Sequence, residues 1–144
     1  MGTPNSVIQP LQKIQNFAAR LVLLAPHHHH STHLEKLHWL PTSEHIKYKV
    51  ACMCFNDING SGPAYLSELL QVYTMSNTLP SSSDTRILKI QYKCKTHGFH
   101  TFSCFGPNIW NSLPQDLRPC STLSSFKAKL KTFLFSQYFR PQLI

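Results

Sequence analysis

Asn5-Ser6-Val7-Ile8-Gln9-Pro10-Leu11-Gln12-Lys13-Ile14-Gln15-Asn16-Phe17-Ala18-Ala19-Arg20-Leu21-Val22-Leu23-Leu24 reads as one helix. Val7, Leu11, Ile14, Ala18 and Leu21 recur at i, i+4 and i+7, which lines them up as one apolar stripe. Gln9, Lys13, Asn16 and Arg20 recur in the same way on another face. Pro10 falls in the first turns, where its missing N–H costs little, and Pro26 ends the run. The stripe is the surface expected to be buried.

Outward from this helix, the run His27 to His30 reads as a polar loop, followed by a short apolar segment ending in Leu37-His38-Trp39-Leu40-Pro41. A second helix is predicted to start at Thr42 or Ser43, whose hydroxyls can accept an orphan N–H, with Glu44 at the positive helix end. Ile46, Val50, Met53 and Ile58 would be its buried face, and Asn59-Gly60-Ser61-Gly62 breaks it. Pro63 opens a third helix reaching Tyr73, with Leu66, Leu69 and Leu70 inward. Residues 74–84 are polar and Ser-rich and read as a linker.

The period then changes. Leu88, Ile90 and Tyr92 alternate with Lys89, Gln91 and Lys93, which is strand spacing. Lys95 to Gly98 can turn the chain, and Phe99 to Phe105 can return as a second strand. Pro107 to Pro119 reads as irregular apart from one helical turn around Asn108 to Leu113. Ser121 or Thr122 caps a last helix reaching Tyr138, with Leu123, Phe126, Leu130, Phe133 and Leu134 inward. The expected fold is mainly α, with about four helices and a β-hairpin near residues 86–105. The chain is read as a single region, 1–144: helical over 5–73, linker 74–84, and a basic hairpin and C-terminal helix over 85–144.

With 144 residues and 42% hydrophobic content, one domain with a core is possible. Ten prolines, Ser81-Ser82-Ser83 and the His run argue for loose packing, or for a piece of something larger. Such a piece should be poorly stable alone, with Phe105, Ile109, Trp110, Phe133, Phe135 and Phe139 exposed. No apolar run is long enough to span a membrane, and no secretory signal opens the chain. The expected location is cytoplasmic or nuclear, with the five cysteines reduced.

The formal net charge is +8, and it is unevenly spread. Residues 1–84 balance five basic against five acidic side chains, whereas residues 85–144 hold nine basic side chains and only Asp116. This asymmetry points to a polyanionic partner, DNA or RNA bound without sequence specificity. The candidate contacts are Lys89, Lys93 and Lys95 on the hairpin and Lys127, Lys129 and Lys131 on the last helix. Tyr92, Phe99, His100 and Phe102 lie beside the hairpin lysines, but an amphipathic hairpin would turn its rings to the core.

Catalysis finds little support. The six carboxylates include no close pair able to hold metal ions for phosphoryl transfer, and there is no G-x-S-x-G or Walker loop. His33 and His38 could be combined with Cys52-x-Cys54 as zinc ligands, but on a helix Cys52 and Cys54 would point about 200° apart. A polar His loop and two buried thiols are the better reading. No catalytic residue, metal or cofactor is assigned.

Several blocks, taken in order, resemble the segment that follows the polymerase domain in LINE-type, non-LTR retrotransposon reverse transcriptases. They are Leu11-Gln12-Lys13-Ile14-Gln15-Asn16-Phe17-Ala18-Ala19-Arg20-Leu21-Val22, then Leu37-His38-Trp39-Leu40-Pro41 followed by Ile46-Lys47-Tyr48-Lys49. Gly62-Pro63-Ala64-Tyr65-Leu66 and Phe102-Ser103 come next. Pro107-Asn108-Ile109-Trp110-Asn111-Ser112-Leu113-Pro114 and Phe126-Lys127-Ala128-Lys129-Leu130-Lys131-Thr132-Phe133-Leu134-Phe135 complete the set. The resemblance runs from Val7 to Tyr138. It implies a largely helical, post-thumb region of an RNA-directed DNA polymerase that helps hold nucleic acid and packs on a polymerase core absent here. The family's catalytic Asp motif matches no position of this chain. Where the family shows Arg, this chain has His45, Asn77, Pro80 and His100. Each change removes a permanent charge and a bidentate phosphate donor, so inherited affinity is expected to be weak.

Overall fold

The computed structural model describes residues 5–25, 30–73, 86–90 and 101–140. Among them run six α-helices: α1 (Asn5–Leu23), α2 (His30–Lys36), α3 (Thr42–Ile58), α4 (Ala64–Ser67), α5 (Phe102–Ser112) and α6 (Leu123–Phe139). A 3-10 turn at Gln115–Leu117 precedes α6. The chain is mainly helical, as expected, and α1, α3 and α6 keep close to their predicted bounds. The linker over 74–84, His27 to His29, Lys93, Lys95 and the hairpin turn lie outside the described residues.

The first three helices end in the same way. In α3 the Ser61 N–H donates to the Asn56 carbonyl and the Gly60 N–H to Asp57, with Gly60 in the left-handed region at φ +72°. This is the Schellman closure, in which the last carbonyls of the helix are satisfied by the chain leaving it. α1 repeats it through Ala25 to Arg20 and Leu24 to Leu21, and α2 through Trp39 to Leu34 and His38 to Glu35. The left-handed position there is taken by Leu24 (φ +48°) and His38 (φ +54°) instead of glycine. At the start of α6 the Thr122 hydroxyl accepts from the Ser125 N–H, the predicted cap.

The chain divides into two compact units. We call the residues from Lys49 to Ala128 the central unit, and those from Thr3 to Tyr48 and from Lys129 onward the terminal unit. In the central unit, Phe55 stacks on Phe126 at 4.5 Å and Trp110 tilts against the same ring at 5.8 Å. Trp110 and Phe126 are fully buried, with Ala51, Cys54 and Leu88 also in the core of this unit. Ile109 and Trp110, expected to be exposed, are therefore core residues, while Phe105, Phe133, Phe135 and Phe139 are half-buried. Gly106 lets α5 approach α3: a Cβ there would lie 3.2 Å from the Cys54 Sγ.

No sheet is found among the described residues, and of the hairpin predicted near residues 86–105 the described parts, 86–90 and 101–105, do not pair with each other. Residues 102–105 belong to α5, whose Cys104, Pro107, Ile109 and Trp110 are packed into the core. The alternation at Leu88 and Lys89 is real, with Leu88 buried and Lys89 exposed, but its partner is the chain at 71–73. The Tyr73 N–H donates to the Ile87 carbonyl at 2.8 Å and the Lys89 N–H to Gln71 at 2.7 Å. The third helix is likewise shorter than predicted, since residues 71–73 are extended in this pairing.

In the terminal unit α1 packs on α2, yet the predicted stripe is not the buried face. Val7, Leu11, Ile14 and Leu21 are exposed, and Ala19 is the buried residue of the helix. The inward face is polar. Gln15 Nε2 donates to the Leu40 carbonyl at 2.8 Å, and Gln12 Oε1 accepts from the Thr42 N–H at 2.9 Å. A glutamine of α1 thus satisfies an orphan donor at the start of α3. In α3 the predicted face also shifts: Met53 is exposed, whereas Ala51, Cys52, Cys54 and Phe55 are buried. Cys52, Cys54 and Cys120 are free thiols, whereas Cys104 is disulfide-bonded, which departs from the expectation of reduced cysteines throughout.

Candidate nucleic-acid interface

The candidate lysines are placed by two elements. Lys89 is exposed beside buried Leu88 in the central unit. On α6 the buried residues Phe126, Leu130 and Leu134 recur every fourth position, which turns Lys127, Lys129 and Lys131 to solvent. At about 100° per residue, Lys129 projects about 200° away from both Lys127 and Lys131. The three therefore do not share one face of the helix. Lys127 belongs to the central unit, and Lys129 and Lys131 to the terminal unit.

Lys131 is the candidate that the fold surrounds with other groups. It lines a cavity of about 400 Å³ together with Gln15, His38, Trp39, Leu40, His45 and Tyr48. It also lines a neighbouring cavity of about 450 Å³ with His38, Thr132, Phe135, Ser136 and Arg140. His38 belongs to both. Its imidazole lies nearly flat on the Phe135 ring, at 5.4 Å between centroids and 10° between planes. Phe139 continues the aromatic row, 4.6 Å from Phe135.

The electrostatics of this unit are one-sided. The sequence assigned to it holds seven Lys and Arg against two carboxylates, Glu35 and Glu44. Glu44 is buried and ion-paired with Lys47 at 2.8 Å. None of the described residues lining either cavity is acidic. Cations beside aromatic walls can hold phosphate and stack planar groups. His38, Trp39, His45, Tyr48 and Arg140 were not among the sequence candidates. The basic-aromatic interleaving of residues 38–49 was the available signal.

The groups that could carry other chemistry are committed elsewhere. Burial pushes the Cys54 thiol up to about 12, with the Asp57 carboxylate adding to the effect, so it is a poor nucleophile at neutral pH. Asp57 accepts from the Ser67 hydroxyl at 2.7 Å. Among the described residues no group of three or more His, Cys, Asp or Glu could hold a metal ion. No helix of the described residues is long and apolar enough to cross a membrane. No protein-family model, curated protein or solved structure matches the chain.

Proposed function

We propose that this chain is a retrotransposon-derived fragment resembling the C-terminal tail of an RNA-directed DNA polymerase, catalytically inert alone, which binds nucleic acid weakly and without sequence specificity. The observation that carries the binding is the exposure of Lys89, Lys127, Lys129 and Lys131 on a chain of net charge +8. The origin rests on the order of the sequence blocks from Leu11 to Phe135.

Non-specific binding of this kind is driven by counterion release. Each phosphate contact on duplex DNA adds about −0.9 to the slope of log affinity against log salt. Replacing Lys89, Lys93, Lys95, Lys127, Lys129 and Lys131 with Gln should flatten that slope, and replacing Lys36, Lys47 and Lys49 should leave it nearly unchanged. No binding at about 50 mM salt with protein near 10⁻⁴ M would refute the reading. Primer extension by the purified chain on an RNA template with Mg²⁺ would refute its inertness.

A second reading, a protein-interaction remnant with no nucleic-acid role, is favoured by the outer face of α1. Val7, Leu11, Ile14, Phe17 and Leu21 are each 48–66% exposed there. Contiguous apolar surface of this kind marks an interaction site. The partner in this reading is the polymerase core that the resemblance implies.

A further inference from the structure

We infer that the terminal unit captures one unstacked nucleotide of a single-stranded nucleic acid, its base against Trp39 and Tyr48 and its phosphate on Lys131 and His38. This rests on the nucleic-acid reading above and narrows it from any polyanion to single strands.

The first observation is His38 itself. It closes α2 in the left-handed backbone region, where glycine would be the unstrained residue. The fold instead holds an imidazole there, flat on Phe135. Strained residues of this kind recur at ligand sites, where surrounding contacts hold them in place. His38 and Lys131 stand between the two cavities and line both.

The second observation is the match of chemistry to volume. Cavities of about 400 and 450 Å³ are within the range of small-ligand pockets, roughly 300–1,000 Å³. The first has indole and phenol walls in Trp39 and Tyr48, and the second adds the Arg140 guanidinium. A planar base with an attached phosphate complements both kinds of wall at once. In a duplex the base faces are stacked on neighbouring pairs, so the aromatic walls would go unused. The excess of basic over acidic side chains in this unit favours the anionic strand over a neutral planar ligand.

The test is fluorescence anisotropy of a labelled thymidine oligomer of about 12 nucleotides against a duplex of equal length, at about 50 mM salt, with the full chain. The single strand should bind about tenfold tighter, as expected for one base stacked on aromatic side chains. His38→Asn, which tolerates the left-handed backbone but removes the ring, and Lys131→Gln, on the exposed side of α6, should each erase most of that preference. Lys127→Gln should weaken both ligands equally. Thermal unfolding of each variant confirms that the fold is kept. Equal or tighter binding of the duplex, or a preserved preference in the His38→Asn/Lys131→Gln double variant, overturns the pocket while leaving the general nucleic-acid reading standing. Failure of both nucleic acids to bind overturns both.

Discussion

Asn111 gives Leu88 the two backbone hydrogen bonds of a neighbouring strand: its Nδ2 donates to the Leu88 carbonyl at 2.8 Å and its Oδ1 accepts from the Leu88 N–H at 3.0 Å. Next to it, Trp110 Nε1 donates to the Arg86 carbonyl at 2.6 Å. The extended segment 86–90 is thus held on one edge by residues 71–73 and on the other by two side chains of α5. Buried Arg118 completes the clamp. Its guanidinium donates to the Asn111 and Leu113 carbonyls at the end of α5, and its carbonyl accepts from Arg86.

Asn111→Leu should therefore cost about 2–4 kcal/mol, because it leaves a donor and an acceptor of Leu88 without their partner. Arg118→Met should cost a similar amount by uncovering two carbonyls that a charged donor now satisfies. Urea midpoints of the two variants and the parent measure both. A loss under roughly 0.5 kcal/mol for Asn111→Leu, the range of neutral surface changes, would show that other contacts hold the segment.

The helix closures predict opposite signs at two positions. Leu24 is 92% exposed and left-handed, so Leu24→Gly should raise stability by about 1 kcal/mol. Gly60→Ala should lower it by about the same amount through backbone conformation alone, because nothing lies within 4 Å of the added methyl. Gly62→Ala should be worse, since its Cβ would meet the Asp57 Cα at 2.8 Å. Thermal denaturation of the three variants checks the order.

Cys54 makes stability depend on alkaline pH. Its thiol is held protonated in the fold up to about 12, against 9.0 for the ordinary thiol. Because the folded value is the higher one, the stabilisation is fully present below 9.0 and is lost as pH rises towards about 12. The loss is roughly 1.4 kcal/mol for each pH unit crossed. The difference in unfolding free energy between the parent and Cys54→Ala should narrow over that window. A constant difference from pH 8 to 11 would contradict the burial argument.

The outer face of α1 predicts dye-accessible apolar surface that can be removed without loss of fold. Ile14→Gln with Leu21→Gln should reduce binding of a dye specific for apolar surface and leave the stability within about 0.5 kcal/mol, because both side chains already face solvent. A large drop in midpoint would mean that these residues are packed in solution.

The bounds of α1, α3 and α6 were legible in the sequence because they are written in local chemistry. Glu44 at the start of α3, Gly60 after it and Thr122 before α6 each act within a turn of their own position. Which face is buried was less legible. The apolar period of α1 is regular, but Gln12 and Gln15 bond to the chain at 40–42, and that choice depends on contacts some 25–30 residues away. Small residues and sulfur, not large aliphatics, fill the inner face of α3 at Ala51, Cys52 and Cys54. The start of α5 read as a returning strand and its remainder as irregular apart from one turn, although Gly106, Ile109, Trp110 and Leu113 already stood at helical spacing. For the candidate site, the charge count identified Lys131, while the rings that surround it come together only through packing of distant segments.

The burial of Trp110 has an optical consequence. Its indole is fully enclosed in the central unit, whereas Trp39, in the terminal unit, is 36% exposed. An enclosed indole emits to the blue of a hydrated one, and these are the only two tryptophans in the chain. Trp39→Phe and Trp110→Phe therefore leave one emitter in each unit of an otherwise unbroken polypeptide. Melting curves recorded through the two emitters will superimpose if the units unfold as one cooperative body and part if they do not.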